Sequence, residues 1–577
     1  MKTAIKRVAI SLGILLLMLP LSALFAETKE AEEVQIAVRG VYAGAETKAV
    51  LIEGRTYVPL RFVAENLGYT VDWKEQSKEI TLRQGEKTLQ FRVGSDIAVR
   101  DGKERKLERD IFILDDKAYL PLRFVGESFG EKVNYHEATR TAVIGDLPAM
   151  IVTEFENGSA RKMGLISIDG KTVLKPNYRS IESLGEGRFA VEDEARGKVA
   201  LVDYRGKHLT EFLYDEIERF QDGYAVVAIN PSDSSKKREG LIDKNGKEVL
   251  PLNYLIESFR EGYFAVRDLE KDCGAYLHPA GNRKDIEGTY FVSPFSEGLA
   301  DFAVRNDELQ AYQFGLIDKN FNRILEPKYD LIQAFSEGFA SFRVGRENAK
   351  WGYLNREGKV VIEPKFDYAG SFQDGRAIVR ENGLDGMIDA SGAYVVRPGY
   401  VAIDRLAKNF YAFNVGGEVP GRVVGGKWGF MDANGKIIVE AKYDNMAWDD
   451  GYEYGYVPVS IVKEDGFGYW GMMDAEGREV IPVKYNSIRG FREGLAIVSE
   501  GRTSEFNPRY GAIDKNGNYV LKTNFEFLES FRHGIAVYVE PKEVSSEEIV
   551  WKYGLMNKKG KKITEAIYDE IRGFWID

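Results

Sequence analysis

From Gly164 to the last residues, apolar positions come in short runs that polar, Gly-bearing turns interrupt at regular places. An aromatic–Gly pair opens each unit, followed by two apolar residues, an Asp or Asn, a turn ending in Gly, an apolar run and a Tyr or Phe. A Phe, a second Gly turn and a final apolar strand complete it. "WGYLNREGKVVIEPKF" (351–366) and "WGFMDANGKIIVEAKY" (428–443) are two copies. The head glycines, or the residues standing in for them, are Gly164, Ala200, Gly240, Gly274, Gly315, Gly352, Gly386, Gly429, Gly471, Gly511 and Gly554, spaced 34 to 43 residues apart. That spacing lies in the range of repeat architectures. "DKNGK" and "DANGK" between apolar runs are hairpin signals: the Asp or Asn side chain bonds its own backbone and the Gly takes positive φ. Each unit therefore reads as two hairpins of three or four short strands, and helical periodicity is almost absent.

One such unit cannot bury its apolar faces alone, so neighbours must stack. An open β-solenoid and a propeller-like ring both satisfy this. The last unit stops at Phe574, just before its final strand, while "AMIVTEF" (149–155) precedes the first head glycine and has the look of that strand. Complementary ends suit a ring; eleven units exceed the usual 4–8 propeller blades. The drift of the head aromatic among Trp351, Trp428, Trp470, Tyr510, Tyr553 and Phe314 suits a packing position. The repeated sentence resembles the WG-repeat family over residues 164–577, with the units headed by Gly274 and Gly386 degraded.

The front of the chain has a different period. "RTYVPLRFVAENLGYTVDW" (55–73) returns as "KAYLPLRFVGESFGEKVNY" (117–135). Each copy predicts strand, short helix, strand, with Pro59 and Pro121 in the first helical turn and Gly68 and Gly130 ending the helices. Leu60, Val63 and Leu67, and Leu122, Val125 and Phe129, mark the buried faces. Arg61 and Glu65, like Arg123 and Glu127, are placed to pair along the helix. "EITLRQ" and "TAVIGD" supply closing strands. Through "VPLRFVAENLG" and "LPLRFVGESFG", residues 34–146 resemble the copper amine oxidase N-terminal domain, a stalk module of exported proteins in Gram-positive bacteria. The resemblance carries no oxidase activity: that chemistry belongs to a separate domain with three His ligands and a modified Tyr, and His136, His208, His278 and His533 stand isolated here.

Composition narrows the classes further. Lys2, Lys6 and Arg7, an apolar stretch to Phe25 and the small Ala26 have the layout of a secretory signal peptide cleaved before Glu27. Its loss takes the formal charge from −11 to −14, three cations being removed, which disfavours nucleic acid as a partner. No later stretch is apolar enough to span a membrane. Cys273 is the only cysteine, so no disulfide forms within the chain. It occupies a head position, and buried filler is its expected role. The lone Asp of each turn lacks the alternating acids of a calcium loop, and Asp449–Asp450, a conceivable glycosidase pair, reads as surface charge.

The expected organisation is a signal peptide (1–26), a small α+β stalk domain (27–147) able to fold alone, and an all-β repeat array (148–577). The expected function is a secreted or cell-surface, non-catalytic binding protein, with no catalytic residue, cofactor or metal and with a cell-wall polymer or surface protein as partner. The alternatives are a structural envelope component and a carbohydrate-active enzyme. Insertions at 230–239, 305–313, 500–509 and 540–552 all fall between a unit's last strand and the next head, so they should align on one edge. Tyr312, Phe506 and Trp551 near their ends are the candidate ligand contacts.

Overall fold

The chain separates into two units, one ending at Pro148 and the other beginning at Ala149. The structure, a computed structural model, describes residues 34–572 except 45–46, 53, 108–110, 157–159, 234–235, 280, 346–347, 419–423, 448–454, 502–507 and 546–547. The expected signal segment and Phe574 lie outside the described residues.

In the first unit the two sequence copies meet edge to edge. Strand Arg55–Pro59 pairs antiparallel with Lys117–Pro121, Val58 opposite Leu120. Helices α1 (Leu60–Asn66) and α2 (Leu122–Phe129) follow directly. The prolines sit one residue earlier than the first helical turn, as the last strand residues. Pro59 keeps the helical φ of −64° but an extended ψ of 121°, so its ring ends the strand without costing the helix a donor. Leu60, Val63, Leu67 and Val125 are buried in one core with Val58 and Leu120, and Leu122 and Phe129 pack partly buried against it. Gly68 and Gly130 take φ of 84° and 72°. Arg61 and Glu65 pair at 3.3 Å on the exposed face. A parallel pairing of Gln35–Val38 with Thr141–Ile144 ties the ends of the unit together, and a five-stranded meander from Thr70 to Lys106 completes it.

The second unit repeats one plan. Around Trp351 the four strands are Leu331–Ile332, Phe339–Val344, Lys350–Asn355 and Val360–Phe366, each antiparallel to the next. The head aromatic lies on the third strand. One residue, Asp367, separates the fourth strand from the first strand of the following sheet. At Glu248–Arg260 even that break vanishes, and a single 13-residue strand serves two sheets. Eleven head positions thus give eleven meanders, and the two degenerate units follow the same plan.

The head glycine is dictated by a bulge. Trp351 pairs with Phe366 but Tyr353 with Ile362, so the fourth strand arches over Gly352. A Cβ on Gly352 would lie 2.4 Å from the Ile362 carbonyl oxygen, and on Gly471 2.5 Å from that of Ile481. Ala200 is tolerated because its fourth strand shrinks to two bridges, Val199–Tyr214 and Val202–His208. The last unit is reduced in the same way, and in both a Thr hydroxyl replaces the lost ladder: Thr210 and Thr564 accept the Leu201 and Leu555 N–H groups at 2.8 and 3.0 Å. Trp351 and Trp428 are buried, whereas Trp470, Tyr510, Tyr553 and Phe314 are half-buried. Successive sheets share apolar clusters; one joins Trp351, Ile362 and Phe366 to Phe372, Val379 and Ile388 of the next unit.

The array closes on itself. The sheet holding Gly164 consists of Thr172–Tyr178, Ala160–Ser167, Ala149–Glu156 and, from the far end of the chain, Glu570–Arg572. Val152 lies opposite Ile571 and Thr153 opposite Glu570. Asp569 donates its N–H to the Thr153 carbonyl just as Asp330 does to Arg343 and Asp367 to Arg380. The contact between sheets matches too. A Cβ on the turn glycine Gly170 would strike Thr564 of the last unit, as one on Gly435 would strike Val396 and one on Gly477 Val439 of the units before them. The trailing partial unit and the leading strand therefore make one whole sheet, and the join between last and first units repeats the contact made at Gly435 and Gly477.

Two measurements check this account. With Cys273→Ser as background, Val152→Cys combined with Ile571→Cys should form an intrachain disulfide on mild oxidation, since the two residues face each other across the closing pair; thiols that both remain reactive would mean an open array. Trp351→Ala should lower unfolding free energy by about 3–5 kcal/mol, the usual cost of emptying a buried large aromatic. A variant as stable as the parent would show that the head is not a packing residue.

Candidate functional site

A four-strand meander has two ends. The first–second and third–fourth turns fall at one, and the second–third hairpins and the sheet-to-sheet joints at the other. Local bonding fixes the first edge. Asp243 Oδ1 accepts the N–H groups of Asn245 and Lys247 at 2.8 and 2.9 Å, and Asp318, Asn355, Asp432 and Asp514 do the same in their units. These bonds hold the Asp514 carboxyl below its ordinary range, so the recurrent acid is committed to its turn. In the first–second turns Glu297 accepts from the N–H groups of Glu337 and Gly338, and Glu337 from those of Asp374 and Gly375. Each turn is thereby hooked to the next.

The other edge carries the variation. At its base Lys350 pairs with Asp367 at 2.5 Å, as Lys198 does with Asp215, Lys427 with Asp444 and Lys552 with Asp569. Above these pairs the second–third connection differs from unit to unit. It is a turn at 307–310, between strands Leu299–Asn306 and Ala311–Asp318. Longer hairpins are built from Phe410–Glu418 with Val424–Met431 and from Ile535–Ser545 with Glu548–Asn557. The insertions at 230–239, 305–313 and 540–552 share one edge, most of 500–509 lying outside the described residues, and the hairpin built from Phe410–Glu418 and Val424–Met431 joins them. Leu309, Val415, Val462, Ile549 and Trp551 on these connections are 38–57% exposed.

The three candidate contacts fare differently. Trp551 stands exposed opposite Pro541 on its hairpin. Phe506 lies outside the described residues. Tyr312 is half-buried and belongs to a cluster that the sequence did not show: its ring lies 4.6 Å from that of Tyr290, tilted 31°, and the Arg267 guanidinium sits 3.8 Å from the centre of the Tyr290 ring. Tyr290 is at the joint leading into its sheet, and Arg267 is next to last in a second strand, Tyr263–Asp268, of the preceding one. Asp272 holds Arg267 at 2.5 Å. Burial, and then a hydrogen bond with Tyr290, raise the Tyr312 phenol above its ordinary range.

A second feature was also missed. Two head positions carry acids instead of aromatics. Glu239 is buried, accepts the Ile256 N–H at 2.6 Å and pairs with Lys237. Asp385 is buried, accepts the Ile403 N–H at 3.1 Å and is gripped by Arg380 at 2.6 and 3.2 Å. Each faces a second acid on the next first strand: burial, then Glu239, raises the Glu257 carboxyl, and burial, then Asp385, pushes Asp404 up to about 6. A charged residue at a head position was the available signal. Because both head acids have a cation and a backbone donor, each substitutes for an aromatic plug rather than presenting a free base.

The remaining reactive groups are dispersed. Cys273 is only partly buried, not the filler expected, and burial, then Asp285 and Asp268, hold its thiol in the unreactive protonated form. His136 bonds Thr139, His208 bonds Tyr178 and His278 packs on Tyr263. Among the described residues no group of three or more His, Cys, Asp or Glu could hold a metal ion, and no helix is long and apolar enough to cross a membrane. Asp449 and Asp450 lie outside the described residues.

Comparison with known families agrees with this geometry. The model of the copper amine oxidase N-terminal domain matches residues 37–144. That of the WG containing repeat matches nine segments between 163 and 575, passing over the units headed by Gly274 and Gly386. No curated protein matches. Among solved structures, a eukaryotic initiation factor is 10% identical with a TM-score of 0.30, over 61% of this chain and 98% of its own. The β-propeller domain of the Trilobed protease from Pyrococcus furiosus is 11% identical with a TM-score of 0.22, over 54% and 95%. Scores this low carry no argument about activity.

The buried acids predict a pH dependence. Asp301 is fully enclosed in its sheet, and burial pushes its carboxyl up to about 7; Glu529 is likewise pushed up to about 7 by burial, against the pull of Arg489 and Arg532. The folded state then holds protons that the unfolded state, titrating near the ordinary carboxyl value, has released. Stability should be full below that ordinary value and fall as pH rises toward and through about 7. Asp301→Asn should raise Tm at pH 8 and leave it nearly unchanged at pH 4; the same increment at both pH values would refute the assignment.

Proposed function

This chain is a WG-repeat protein with a copper amine oxidase N-terminal domain at its front, and on that premise we propose that it is an exported, envelope-associated binding protein whose repeats present one variable edge to a partner. The observation that carries the reading is the asymmetry of the two edges. One edge is locked by turn and inter-unit hydrogen bonds that recur from sheet to sheet. The other varies in length and exposes Leu309, Val415, Val462, Ile549 and Trp551 to solvent. A rigid scaffold with variable connections at one end is the usual arrangement for recognition, and exposed apolar groups on such connections are suited to burial against a partner. The N-terminal segment directs export, the front domain serves as the stalk, and the partner is a cell-wall polymer or a protein of the envelope. The head acids, neutralised in place, support a binding role over a hydrolytic one.

The test is to replace residues 416–426 and 541–551 by short Gly-Ser links, tightening two hairpins while leaving every head residue in place, and to measure melting and sedimentation with washed cell envelopes. Retained melting with several-fold weaker envelope binding is the expected result. Undiminished binding by the trimmed, folded protein would place recognition elsewhere.

A further inference from the structure

Resting on the reading of the variable edge as a recognition surface, the geometry points to the Arg267–Tyr290–Tyr312 stack as a binding platform for a pyranose sugar ring. Three observations converge on it. The first is the stack itself. Tyr312 lies over Tyr290 at 4.6 Å, and Tyr290 lies against the Arg267 guanidinium at 3.8 Å. The cation is pinned by Asp272, and its Nε is buried without a hydrogen-bond acceptor, as suits a guanidinium laid against a ring. A ring in contact with both a cation and an aromatic has little freedom left to lose, so the platform is ready before a ligand arrives.

The second observation is composition around the rim. Arg305 is the cross-strand partner of Tyr312 and pairs with the exposed Asp307 at 3.1 Å. An aromatic peptide side chain would need an apolar pocket. Here a flat ring is bordered by a guanidinium and a carboxylate, the complement of a sugar, whose polarised C–H face lies on the electron-rich ring while its hydroxyls meet donors and acceptors at the edge. The third observation is position. The stack bridges two successive sheets at the variable edge, where a polymer crossing from one unit to the next would pass. Nothing in the spacing of Arg267, Tyr290 and Tyr312 along the chain announces the arrangement.

The full chain, freed of its leader segment, would be titrated with hexamers of N-acetylglucosamine and of glucose and, separately, with washed envelopes either digested by protease or stripped of glycan. Binding of at least one hexamer and retention of protease-digested envelopes are expected. Tyr312→Ala and Tyr290→Ala should each weaken hexamer binding by about tenfold or more, the loss of one stacking contact, while Tyr312→Phe keeps the ring and most of the affinity. Melting curves identify any variant that fails to fold, and the Phe variant then carries the comparison. Hexamer binding by a folded Tyr312→Ala variant equal to the parent's overturns the inference. So does attachment that only glycan-stripped, protein-bearing envelope supports, although that result leaves the binding role itself intact. Failure to bind any envelope preparation overturns both.

Discussion

At most joints the repeat array depends on one contact, a turn glycine seated against the fourth strand of the preceding unit; in the unit headed by Gly315 the turn carries Phe321 instead, packed among Tyr263, Tyr276 and Phe295. Gly392 sits on Ile362, Gly435 on Val396, Gly477 on Val439 and Gly560 on Leu521, and a Cβ at any of them would meet that side chain at 3.2 Å or less. The left-handed φ of each, 71° to 80° across these positions and Gly358, is a conformation that only glycine adopts without strain. Removing the side chain lets two sheets approach to packing distance, and the apolar clusters shared between neighbours follow from that approach. The hydrogen bonds that Glu297 and Glu337 accept from the N–H groups of the next turns hold the same spacing from the polar side.

Closure extends that contact to the two ends. In a linear stack the terminal units each leave one face uncovered and need capping. Here the last unit gives up its outgoing strand to the first sheet, so Gly170 meets Thr564 as though the chain continued. The first and last strands of the array pair with each other instead of standing as the unpaired backbone that invites association between copies. The cost is topological, because the first and last strands must find each other across the whole array before the final sheet exists. The Thr210 and Thr564 hydroxyls at the two weakest fourth strands show how little ladder such a unit needs once its neighbours are in place.

Function is divided between the edges by the same geometry. A turn that must hook the following turn cannot change length, so the locked edge cannot diversify. A second–third hairpin is anchored at its base by Lys350–Asp367 and its equivalents, with no recurring hook to the next unit among the described residues, and can lengthen freely. The cluster at Arg267, Tyr290 and Tyr312 arises where this free edge crosses a joint between sheets. The acid heads Glu239 and Asp385 show the converse: inside the array a charge is accepted only with a cation and a backbone donor of its own.

Much of this was legible along the chain. The apolar runs, the Asp–Gly turns, the head glycines and the two front copies are local signals, set by φ, by side-chain to backbone bonding and by the two-residue period of strands, and each acts within a few residues. The alignment of insertions on one edge followed from the order of strands in a meander. What the sequence left open depended on distance. Whether eleven units coil or close is decided by a small rotation accumulated at each joint, which no single repeat encodes. The half-burial of Cys273, the partners of Glu239 and Asp385 and the stacking of Tyr312 on Tyr290 depend on side chains brought together from different strands and sheets. Repeated local chemistry specified the unit; only the packing of units against one another decided the ring and the surface it presents.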